Sequence, residues 1–426
     1  MLRPYSFFIA CLLAVCALAQ EFVSVQGTQF VRDGKPYYFV GTNFWYGPIL
    51  ASQGQGGNRQ RLAAELDALK ALGIDNLRIL VGADAGSKNV TSLTPYLQPE
   101  PGMLNDTLLD GLDYLLREME RRDMVGVFYL TNSWDWSGGY GFYLKNTGHG
   151  DSPDAHGDGY NAYCAYAAHF YAEPRALQLY YDYVRRIVSR RNRYTGRLYR
   201  DEPAIMAWQL CNEPRPFAAE MKEPMLRWSQ EAARIIKALD PNHLVSTGSE
   251  GTIGCLYDED VCLRMHNDPN IDYLTVHVWP VNWGWASRDR LYDSLPNVYV
   301  KANEYLAVNR RIAERIDKPM VIEEFGYSRD HNRYTPNYGT RARDAFYGYV
   351  FAQVAQSYAE GGPLAGCNFW GWGGSGRPAD ETWHAGDDLL CDPPHEPQGW
   401  YSVFDCDSTT LNLIRTANAQ LSPATP

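Results

Sequence analysis

Short β-rich runs alternate with amphipathic helical stretches along nearly the whole chain. Eight such runs can be counted, at residues 38–44, 76–81, 125–131, 204–212, 244–247, 273–279, 319–324 and 366–370. Several are apolar almost throughout, as is typical of parallel strands that are covered on both faces. Eight strand–helix units predict an α/β fold of the closed (β/α)8 TIM-barrel type, because closure removes the free edges of an open sheet.

Most of the segments between these runs carry the apolar stripe of an amphipathic helix. Residues 59–72 place four leucines on one face, and Gly73 follows as a helix-ending residue. The same pattern recurs at residues 107–122, 176–190, 218–239, 302–316 and 341–359, and it is weakest at 249–271. No linker or repeat divides the chain, so we expect residues 20–426 to form a single (β/α)8 domain.

Two further features are expected around the barrel. Residues 22–31 and 35–40 flank Asp33-Gly34, a dipeptide typical of β-hairpin turns. We expect this N-terminal β-hairpin to cover the bottom of the barrel. The loops after strands 3 and 8 are long, at residues 133–174 and 371–408, and we expect them to build one side of a cleft.

The first residues have the pattern of a secretory signal peptide. The positive charge of Arg3 precedes the apolar stretch 6–19, and Ala17-Leu18-Ala19 has the small residues of a cleavage site at its first and third positions. We therefore expect residues 1–19 to be removed and the protein to be secreted or periplasmic. The stretch is short for a membrane span. Val15 is bulky for the position before a lipidated Cys16, so a lipid anchor is not expected either.

Seven of the nine cysteines remain once Cys11 and Cys16 leave with the signal. Export permits disulfides. The pairs Cys255–Cys262 and Cys391–Cys406 are preferred, because each pair lies close in sequence within loop-like stretches. An odd number leaves at least one free thiol.

Charge and motif content exclude several classes of function. The net charge is −11, with no basic run or stripe, so nucleic acid is not an expected partner. No paired histidine spacing, phosphate-binding loop or Gly-x-Ser-x-Gly elbow is found. We therefore expect no metal, no cofactor and a monomeric protein. The acidic residues of the last long loop resemble a solvated loop more than a calcium site.

Two carboxylates stand at the ends of predicted strands, where a TIM barrel collects its catalytic groups. Glu213 closes the fourth run and Glu324 closes the seventh. Taken singly, each could be an ordinary acid at the start of a loop. Together over one site, two carboxylates are what hydrolysis of a glycosidic bond requires.

Aromatic residues support that interpretation. Nine of the twelve tryptophans fall at strand ends or in the loops that follow, at positions 45, 134, 136, 279, 283, 285, 370, 372 and 383. Flat rings suit the faces of sugars, which carry C–H patches beside hydroxyl groups. Asn132 and Trp134 stand together after the third run. A rim so rich in tryptophan predicts a cleft that stacks sugar rings.

The two carboxylates would have unequal roles. Glu213 would be the general acid, which requires its pKa to be raised towards about 6 or 7. Glu324 would attack the anomeric carbon, and Arg78 would keep it charged. Asn212 could donate to the sugar 2-hydroxyl. His277 could orient the acid or bind sugar, and a satisfied core histidine is an equal alternative.

Several segments resemble glycoside hydrolase family 5, a retaining (β/α)8 family with catalytic carboxylates on strands 4 and 7. Residues 208–215 (WQLCNEPR) and 322–326 (IEEFG) resemble its acid/base and nucleophile strands. Further stretches resemble its β-mannanase branch, namely residues 41–46, 76–78, 130–134, 247–251, 277–285 and 368–372. The resemblance covers nearly the whole chain after residue 19.

The resemblance implies roles for individual residues. It makes Glu213 the acid/base and Glu324 the nucleophile, with Arg78, Asn212 and His277 as supports. Trp370 would be the platform beneath the reacting sugar, and Arg215 and Glu250 match positions that contact sugars on the leaving-group side. One position departs from the pattern. Many members carry Tyr two residues after the strand-6 histidine, whereas this chain has Trp279, so that either an indole N–H replaces the Tyr hydroxyl near the nucleophile or the role lies elsewhere.

These observations predict a secreted, retaining endo-β-1,4-mannanase that acts on mannan, glucomannan, galactomannan and manno-oligosaccharides without a cofactor. An exo-acting β-mannosidase, made by loops that block one end of the cleft, is the nearest alternative. A β-1,4-glucanase is a third. A silent carbohydrate-binding barrel belongs to another class, and the presence of both carboxylates argues against it.

Overall fold

The computed structural model describes residues 22–86 and 93–421. Eight parallel strands form the central barrel, and every strand predicted from the sequence is present. They are β4 (Phe39–Asn43), β5 (Asn76–Leu80), β6 (Val125–Tyr129), β7 (Ile205–Gln209), β8 (Leu244–Ser246), β9 (Leu274–Val278), β10 (Met320–Phe325) and β11 (Leu364–Phe369). The ladder runs β8-β7-β6-β5-β4-β11-β10-β9. A parallel bridge between Ser246 and Tyr273 joins its two ends and closes the barrel.

Helices surround the barrel, and all of those given below except the last lie in segments where the sequence predicts a helix. Their ranges are α2 (Arg59–Ala71), α3 (Asp106–Glu120), α6 (Pro174–Val188), α7 (Lys222–Leu239), α8 (Glu259–His266), α9 (Leu291–Ile316), α10 (Arg341–Glu360) and α11 (Ser408–Leu421). Helix α9 begins at Leu291, well before the predicted residue 302. Pro296 lies inside it, and the burial of Leu295 and Val298 offsets the cost of that proline.

The N-terminal hairpin covers the bottom of the barrel, with one strand more than predicted. Its strands β1 (Ser24–Gln26), β2 (Gln29–Arg32) and β3 (Lys35–Tyr37) form an antiparallel meander. Arg32 pairs with Asp75 at 2.9 Å and with Asp123 at 2.5 Å. These two acids lie just before β5 and β6, so the ion pairs hold the meander against the amino ends of the strands.

The two long loops fold on the opposite side, at the carboxyl ends of the strands. Residues 133–174 carry the helices α4 (Gly139–Leu144) and α5 (Tyr160–Ala167), and residues 371–408 carry the short strands β12 (Trp372–Gly374) and β13 (Val403–Phe404). The short helix α1 (Gly47–Ala51) follows β4 on the same side. Together these segments build the surroundings of the candidate site.

The predicted disulfides are not formed. All seven cysteines of the described residues are free. Cys391 is completely buried, with its sulfur 3.5 Å from the carbonyl oxygen of Asn43, whereas Cys406 is exposed. Cys255 and Cys262 are neighbouring buried thiols, and this proximity together with burial raises the pKa of Cys262. The prediction of a Cys391–Cys406 disulfide from closeness in sequence is therefore wrong, because Cys391 is buried in the core and Cys406 is exposed.

The predicted signal segment, residues 1–19, lies outside the described residues. Across residues 22–86 and 93–421, no helix combines the length and apolar character that a membrane crossing requires.

Candidate active site

Glu213 and Glu324 meet at the carboxyl ends of the barrel strands. Glu213 lies just beyond β7 with a left-handed φ of 49°, a conformation that costs a non-glycine residue about 1–2 kcal/mol. Two bonds hold it there. Its N–H donates to the carbonyl of Gly248 at 2.9 Å, and its own carbonyl accepts from Ser133 Oγ at 2.6 Å. Glu324 projects from β10 next to a register shift in the ladder.

His277 joins the two carboxylates. Its Nδ1 lies 2.7 Å from Oε1 of Glu213 and 3.2 Å from Oε2 of Glu324. One oxygen of each carboxylate and the imidazole nitrogen all lie within 4.8 Å of one another. A separation near 5 Å is typical of retaining glycosidases, since inversion needs room for a water molecule between the carboxylates.

Arg78 is completely buried beneath Glu324. Its Nη1 donates to Oε1 of Glu324 at 2.5 Å, and Nη2 donates to Oδ1 of Asn212 at 2.8 Å. Nη1 also reaches Asn43 at 3.1 Å, and Nε reaches Gln209 at 2.9 Å. This guanidinium therefore connects the ends of β4, β5, β7 and β10 and supplies a fixed positive charge beside Glu324.

Three tryptophans approach the carboxylates. The indole N–H of Trp134 donates to Oε2 of Glu213 at 2.6 Å, and that of Trp279 donates to Oε2 of Glu324 at 3.2 Å. The indole N–H of Trp279 thus contacts the nucleophile candidate, where many family members have a Tyr hydroxyl instead. Trp370 packs against Trp279 with ring centroids 6.1 Å apart, which places a flat face beside the nucleophile candidate.

The wider tryptophan prediction is only partly correct. Trp134, Trp136, Trp279, Trp283 and Trp370 line the pocket. In contrast, two of the nine rim tryptophans are buried in packing roles: the indole N–H of Trp45 donates to the carbonyl of Cys391 at 2.7 Å, and that of Trp372 donates to Glu65 at 2.8 Å.

Asn132 supports the site from below. It is completely buried, and its Oδ1 accepts from the backbone N–H of Trp134 at 3.0 Å and from Nδ2 of Asn212 at 3.1 Å. The amide of Asn212 is thereby fixed between Asn132 and Arg78. Asn212 lines the pocket, whereas Asn132 does not.

Arg215 and Glu250 form an ion pair on the side of β7 and β8. Both guanidinium nitrogens Nε and Nη2 of Arg215 donate to the carboxylate of Glu250, and Nη1 donates to the hydroxyl of Tyr160 at 3.0 Å. The guanidinium also lies over the Trp134 ring, 5.3 Å from its centroid. Both members of the pair line the pocket.

The electrostatics of the site differ from the sequence expectation. Burial by itself would raise the pKa of Glu213, but the hydrogen bond and positive charge of His277 outweigh it and lower that pKa. Burial would likewise lower the pKa of His277, but the charge of Glu324 and bonds to both carboxylates raise it to about 10. The prediction that the pKa of Glu213 is raised is therefore wrong for the free site. Glu213 and His277 share one proton, and it lies on the imidazole.

The hydrogen-bonded pair of Glu213 and His277 predicts how the pH dependence of catalysis changes when His277 is replaced. In the His277→Asn variant, Glu213 must hold the shared proton alone, and a carboxyl group releases a proton at lower pH than the raised imidazole does. The alkaline limb of the kcat/KM profile should therefore move to lower pH, by at least about one unit. The measurement is kcat/KM on an aryl β-mannoside between pH 4 and 10. An alkaline limb at the wild-type position would show that His277 does not hold the proton.

Glu213, His277 and Glu324 also have the spacing of a three-ligand metal cluster. Two features of the site favour proton chemistry for this cluster. Arg78 already pairs with Glu324 at 2.5 Å, and the proton shared with Glu213 occupies the imidazole nitrogen that a metal would need. The residues therefore do not fit a resident ion.

The pocket above these side chains has a volume of about 400 Å³, within the range of small-ligand sites. Eight of the predicted site residues line it: Trp134, Asn212, Glu213, Arg215, Glu250, Trp279, Glu324 and Trp370. Arg78, Asn132 and His277 lie beneath its floor, completely buried. Sequence reasoning missed several lining residues from the long loops, namely Asp135, His156, Tyr160, Pro393, His395 and Glu396.

The two long loops meet over one half of the site and form a wall. The rings of Trp136 and His395 stack with centroids 6.3 Å apart, and His156 stacks on His395 at 4.8 Å. Trp136 also packs against Trp45, at 5.6 Å, and its carbonyl accepts from the N–H of Leu93 at 2.8 Å. The wall therefore joins the loops that follow β4, β5, β6 and β11.

Comparisons with known proteins agree with this architecture. Mannan endo-1,4-beta-mannosidase 1 of Oryza sativa subsp. japonica is 29% identical over 82% of this chain and 78% of its own length. Mannan endo-1,4-beta-mannosidase 1 of Arabidopsis thaliana is 28% identical over 86% of each chain. The crystal structure of a glycoside hydrolase family 5 mannosidase from Rhizomucor miehei has a TM-score of 0.86 and 35% identity, and covers 95% of this chain and 98% of that chain.

A second structure from the same organism supports the fold alone. The endo-1,4-beta-mannanase of Rhizomucor miehei has a TM-score of 0.66 and 23% identity, and covers 94% of this chain. The family model described as "GH family 5 beta-mannosidase-like" matches residues 20–425. The chain is a glycoside hydrolase that belongs to the β-mannosidase-like group of glycoside hydrolase family 5.

Proposed function

We propose that the protein hydrolyses β-1,4-mannosidic bonds by double displacement, with retention of configuration. The observation that carries this proposal is the Glu213–His277–Glu324 group, whose carboxylate oxygens lie within 4.8 Å of each other. Arg78 and Trp279 fix Glu324, and Trp134 fixes Glu213. The names of the relatives, mannosidases and mannan endo-mannosidases, support a mannoside substrate.

In the first step, an oxygen of Glu324 attacks the anomeric carbon while the bond to the leaving oxygen breaks. The proton shared by Glu213 and His277 passes through Glu213 to that oxygen. Glu324 becomes an ester and loses its charge, which removes one of the two anions facing His277. In the second step, Glu213 takes a proton from water, and the resulting hydroxide releases the sugar from Glu324.

Asn212 is suited to recognise the sugar 2-hydroxyl during both steps. Its oxygen accepts from Arg78 and its Nδ2 reaches Asn132, which leaves the second amide hydrogen available to the pocket. Mannose and glucose differ in the orientation of this hydroxyl. We infer that a fixed donor at this position contributes to the choice of mannosides over glucosides.

We further propose that the protein acts at chain ends. Arg215 and Glu250 occupy the side that the family resemblance assigns to leaving-group sugars, and the stacked Trp136 and His395 line the same pocket. We propose that this wall accommodates a terminal mannosyl unit and excludes a continuing chain. The similar family 5 mannosidase from Rhizomucor miehei, one variant of which was solved with mannosyl-fructose, supports this mode.

Internal cleavage is the second candidate. It is favoured by the curated plant relatives, which are named mannan endo-1,4-beta-mannosidases and align over most of the chain. Cleavage at chain ends and internal cleavage use the same two carboxylates. They differ in whether the wall excludes a sugar chain that continues beyond the reacting mannosyl unit.

Products from mannohexaose distinguish the two modes. We expect mannose and mannopentaose as the first products, and a β-mannan activity that exceeds the carboxymethyl cellulose activity by orders of magnitude. Proton NMR of the earliest product should show the β-anomer, because the mechanism retains configuration. Mannobiose and mannotriose as first products would make the protein an endo-mannanase, and an α-anomer would refute the double displacement.

Export, a single catalytic domain over residues 20–426 and a monomeric state complete the proposal. The signal-like pattern at residues 1–19 supports export. The closed barrel, with its bottom covered by β1–β3, supports a domain that folds alone.

A further inference from the structure

Glu323 is a buried carboxyl group of the barrel interior that the proposed mechanism does not use. It precedes Glu324 in β10, and regular alternation along a strand would point the two side chains to opposite faces. The register between β10 and β9 shifts between Ile322 and Glu324, however. Glu323 is therefore the extra residue of a bulge, a feature that redirects side chains next to active sites.

The side chains of Glu323 and Glu324 approach the same guanidinium. Nη1 of Arg78 donates to Oε1 of Glu324 at 2.5 Å, and Nε of Arg78 lies 3.6 Å from Oε2 of Glu323. Two hydrogen bonds hold Glu323 in this place. Nε2 of Gln209 donates to its Oε2 at 2.6 Å, and the hydroxyl of Tyr273 donates to its Oε1 at 3.1 Å. One buried cation is thus shared by two adjacent carboxylates.

The positive charge of Arg78 needs a counter-charge throughout the reaction. Once Glu324 forms an ester with the sugar it is neutral, and a buried guanidinium without a counter-charge is strongly unfavourable. The carboxylate of Glu323 remains beside Arg78 in that state. Before the attack, the same carboxylate weakens the attraction between Arg78 and Glu324, because a nearby like charge opposes the negative charge on Glu324.

We propose that Glu323 is a positioning residue that acts through Arg78 and supplies its counter-charge while Glu324 is esterified. This inference rests on the proposed function and deepens it. With a neutral side chain at position 323, the ion pair of Arg78 and Glu324 would be tighter before the attack, and the ester would leave Arg78 unpaired. The first step would then slow, whereas the second step, which restores the charge of Glu324, would not. A residue that only supports the fold would affect both steps alike.

The ionisation of Glu323 determines the pH range in which it acts. Burial raises the pKa of Glu323, and the charges of Arg78 and His277 offset this rise only in part. The hydrogen bonds from Gln209 and Tyr273 also favour the ionised form. Because the net shift is upward, Glu323 takes up a proton at higher pH than an ordinary glutamate does. Below its pKa the wild type should therefore resemble a variant with a neutral group at this position.

A 2-fluoro-mannosyl reagent separates the two steps, because it forms the ester at Glu324 and the ester then hydrolyses slowly. Glu323→Gln keeps the size of the side chain, and its amide can accept from Gln209 and donate to Tyr273. Near neutral pH, labelling of this variant should be about 10- to 100-fold slower than labelling of the wild type. Reactivation of the isolated labelled variant should be as fast as in the wild type or faster. The difference in labelling should shrink as the pH is lowered.

The matched control is Glu202→Gln. Glu202 is also completely buried and pairs with Arg197 at 2.9 Å, but it lies just before β7, at the opposite end of the barrel. This control should leave labelling and reactivation unchanged. If Glu323→Gln slows both steps equally, or does not slow labelling, the proposed role of Glu323 is wrong while β-mannoside hydrolysis stands. A wild type that is not labelled and hydrolyses no aryl β-mannoside would instead refute the proposed function.

A second variant keeps the test valid if Glu323→Gln does not fold. Tyr273→Phe removes one hydrogen-bond donor from the carboxyl group of Glu323, which makes its ionised form less favourable. Labelling at a given pH should therefore slow in the same direction by about two- to fivefold, with reactivation unchanged. Normal labelling of a folded Tyr273→Phe variant would count against the proposal.

Discussion

We expect Glu324→Ala to abolish the hydrolysis of β-mannosides, with kcat reduced by at least about 10⁴-fold. Among the pocket carboxylates that the structure describes, only Glu324 receives both a guanidinium, Arg78 at 2.5 Å, and an indole N–H, Trp279 at 3.2 Å. These donors hold its carboxylate in a fixed position beside the pocket. Without it no covalent intermediate can form. The measurement is kcat on an aryl β-mannoside and on mannohexaose.

A labelling experiment and a folding control test the assignment of Glu324 as the nucleophile. A 2-fluoro-mannosyl reagent with a good leaving group should label the wild type stoichiometrically, and peptide mass spectrometry should place the label on Glu324. Thermal unfolding must show that the Glu324→Ala variant is folded. Removal of the Glu324 carboxylate leaves the buried Arg78 without its closest counter-charge. A folded Glu324→Ala variant with near-normal turnover would refute the nucleophile assignment.

Glu213→Ala should lower kcat on natural oligosaccharides by about 10²- to 10⁴-fold, the range expected for loss of general acid catalysis. On an aryl mannoside with an acidic phenol the first step needs no proton, so the ester at Glu324 should still form. Hydrolysis of that ester then becomes slow, because no general base activates water. Azide, which needs no base, should restore turnover and give a β-mannosyl azide.

The configuration of that azide is the informative result. A β-product requires two inversions and hence attack on a sugar carried by Glu324. An α-azide would mean direct displacement, and a lack of any azide product would remove Glu213 from the acid/base role. His277 shares its proton with Glu213, so Glu213→Ala should also remove the pH dependence that this pair produces.

The barrel could be predicted from the sequence because each of its strands is buried on both faces. Such strands are short apolar runs, and polar residues within or at the ends of several runs face the pocket or the layer beneath it. Glu213, Glu324, Arg78 and His277 could be found in this way. The start of α9 could not, since Pro296 interrupts the local signal and only burial against the barrel restores the helix.

Three features of the site depend on contacts between distant segments, and the sequence did not predict them. The pKa of Glu213 was misjudged because its largest opposing influence, His277, comes from another strand. The wall joins Trp136 and His395, which are far apart in the chain. Glu396 has no motif of its own, and its place in the pocket lining depends on the fold of the long loop after β11.

The contacts of Arg78 limit which substitutions this barrel can accept during evolution. The same guanidinium that fixes Glu324 also reaches Gln209, Asn43 and Asn212, on neighbouring and opposite strands. A substitution that shifts any of these strands therefore disturbs catalysis and stability together, so selection on activity also preserves the architecture. In the described part of the chain, the wall residues Trp136, His156 and His395 form no bond with Arg78, so substitutions at these positions can change substrate preference while the contacts of Arg78 stay intact.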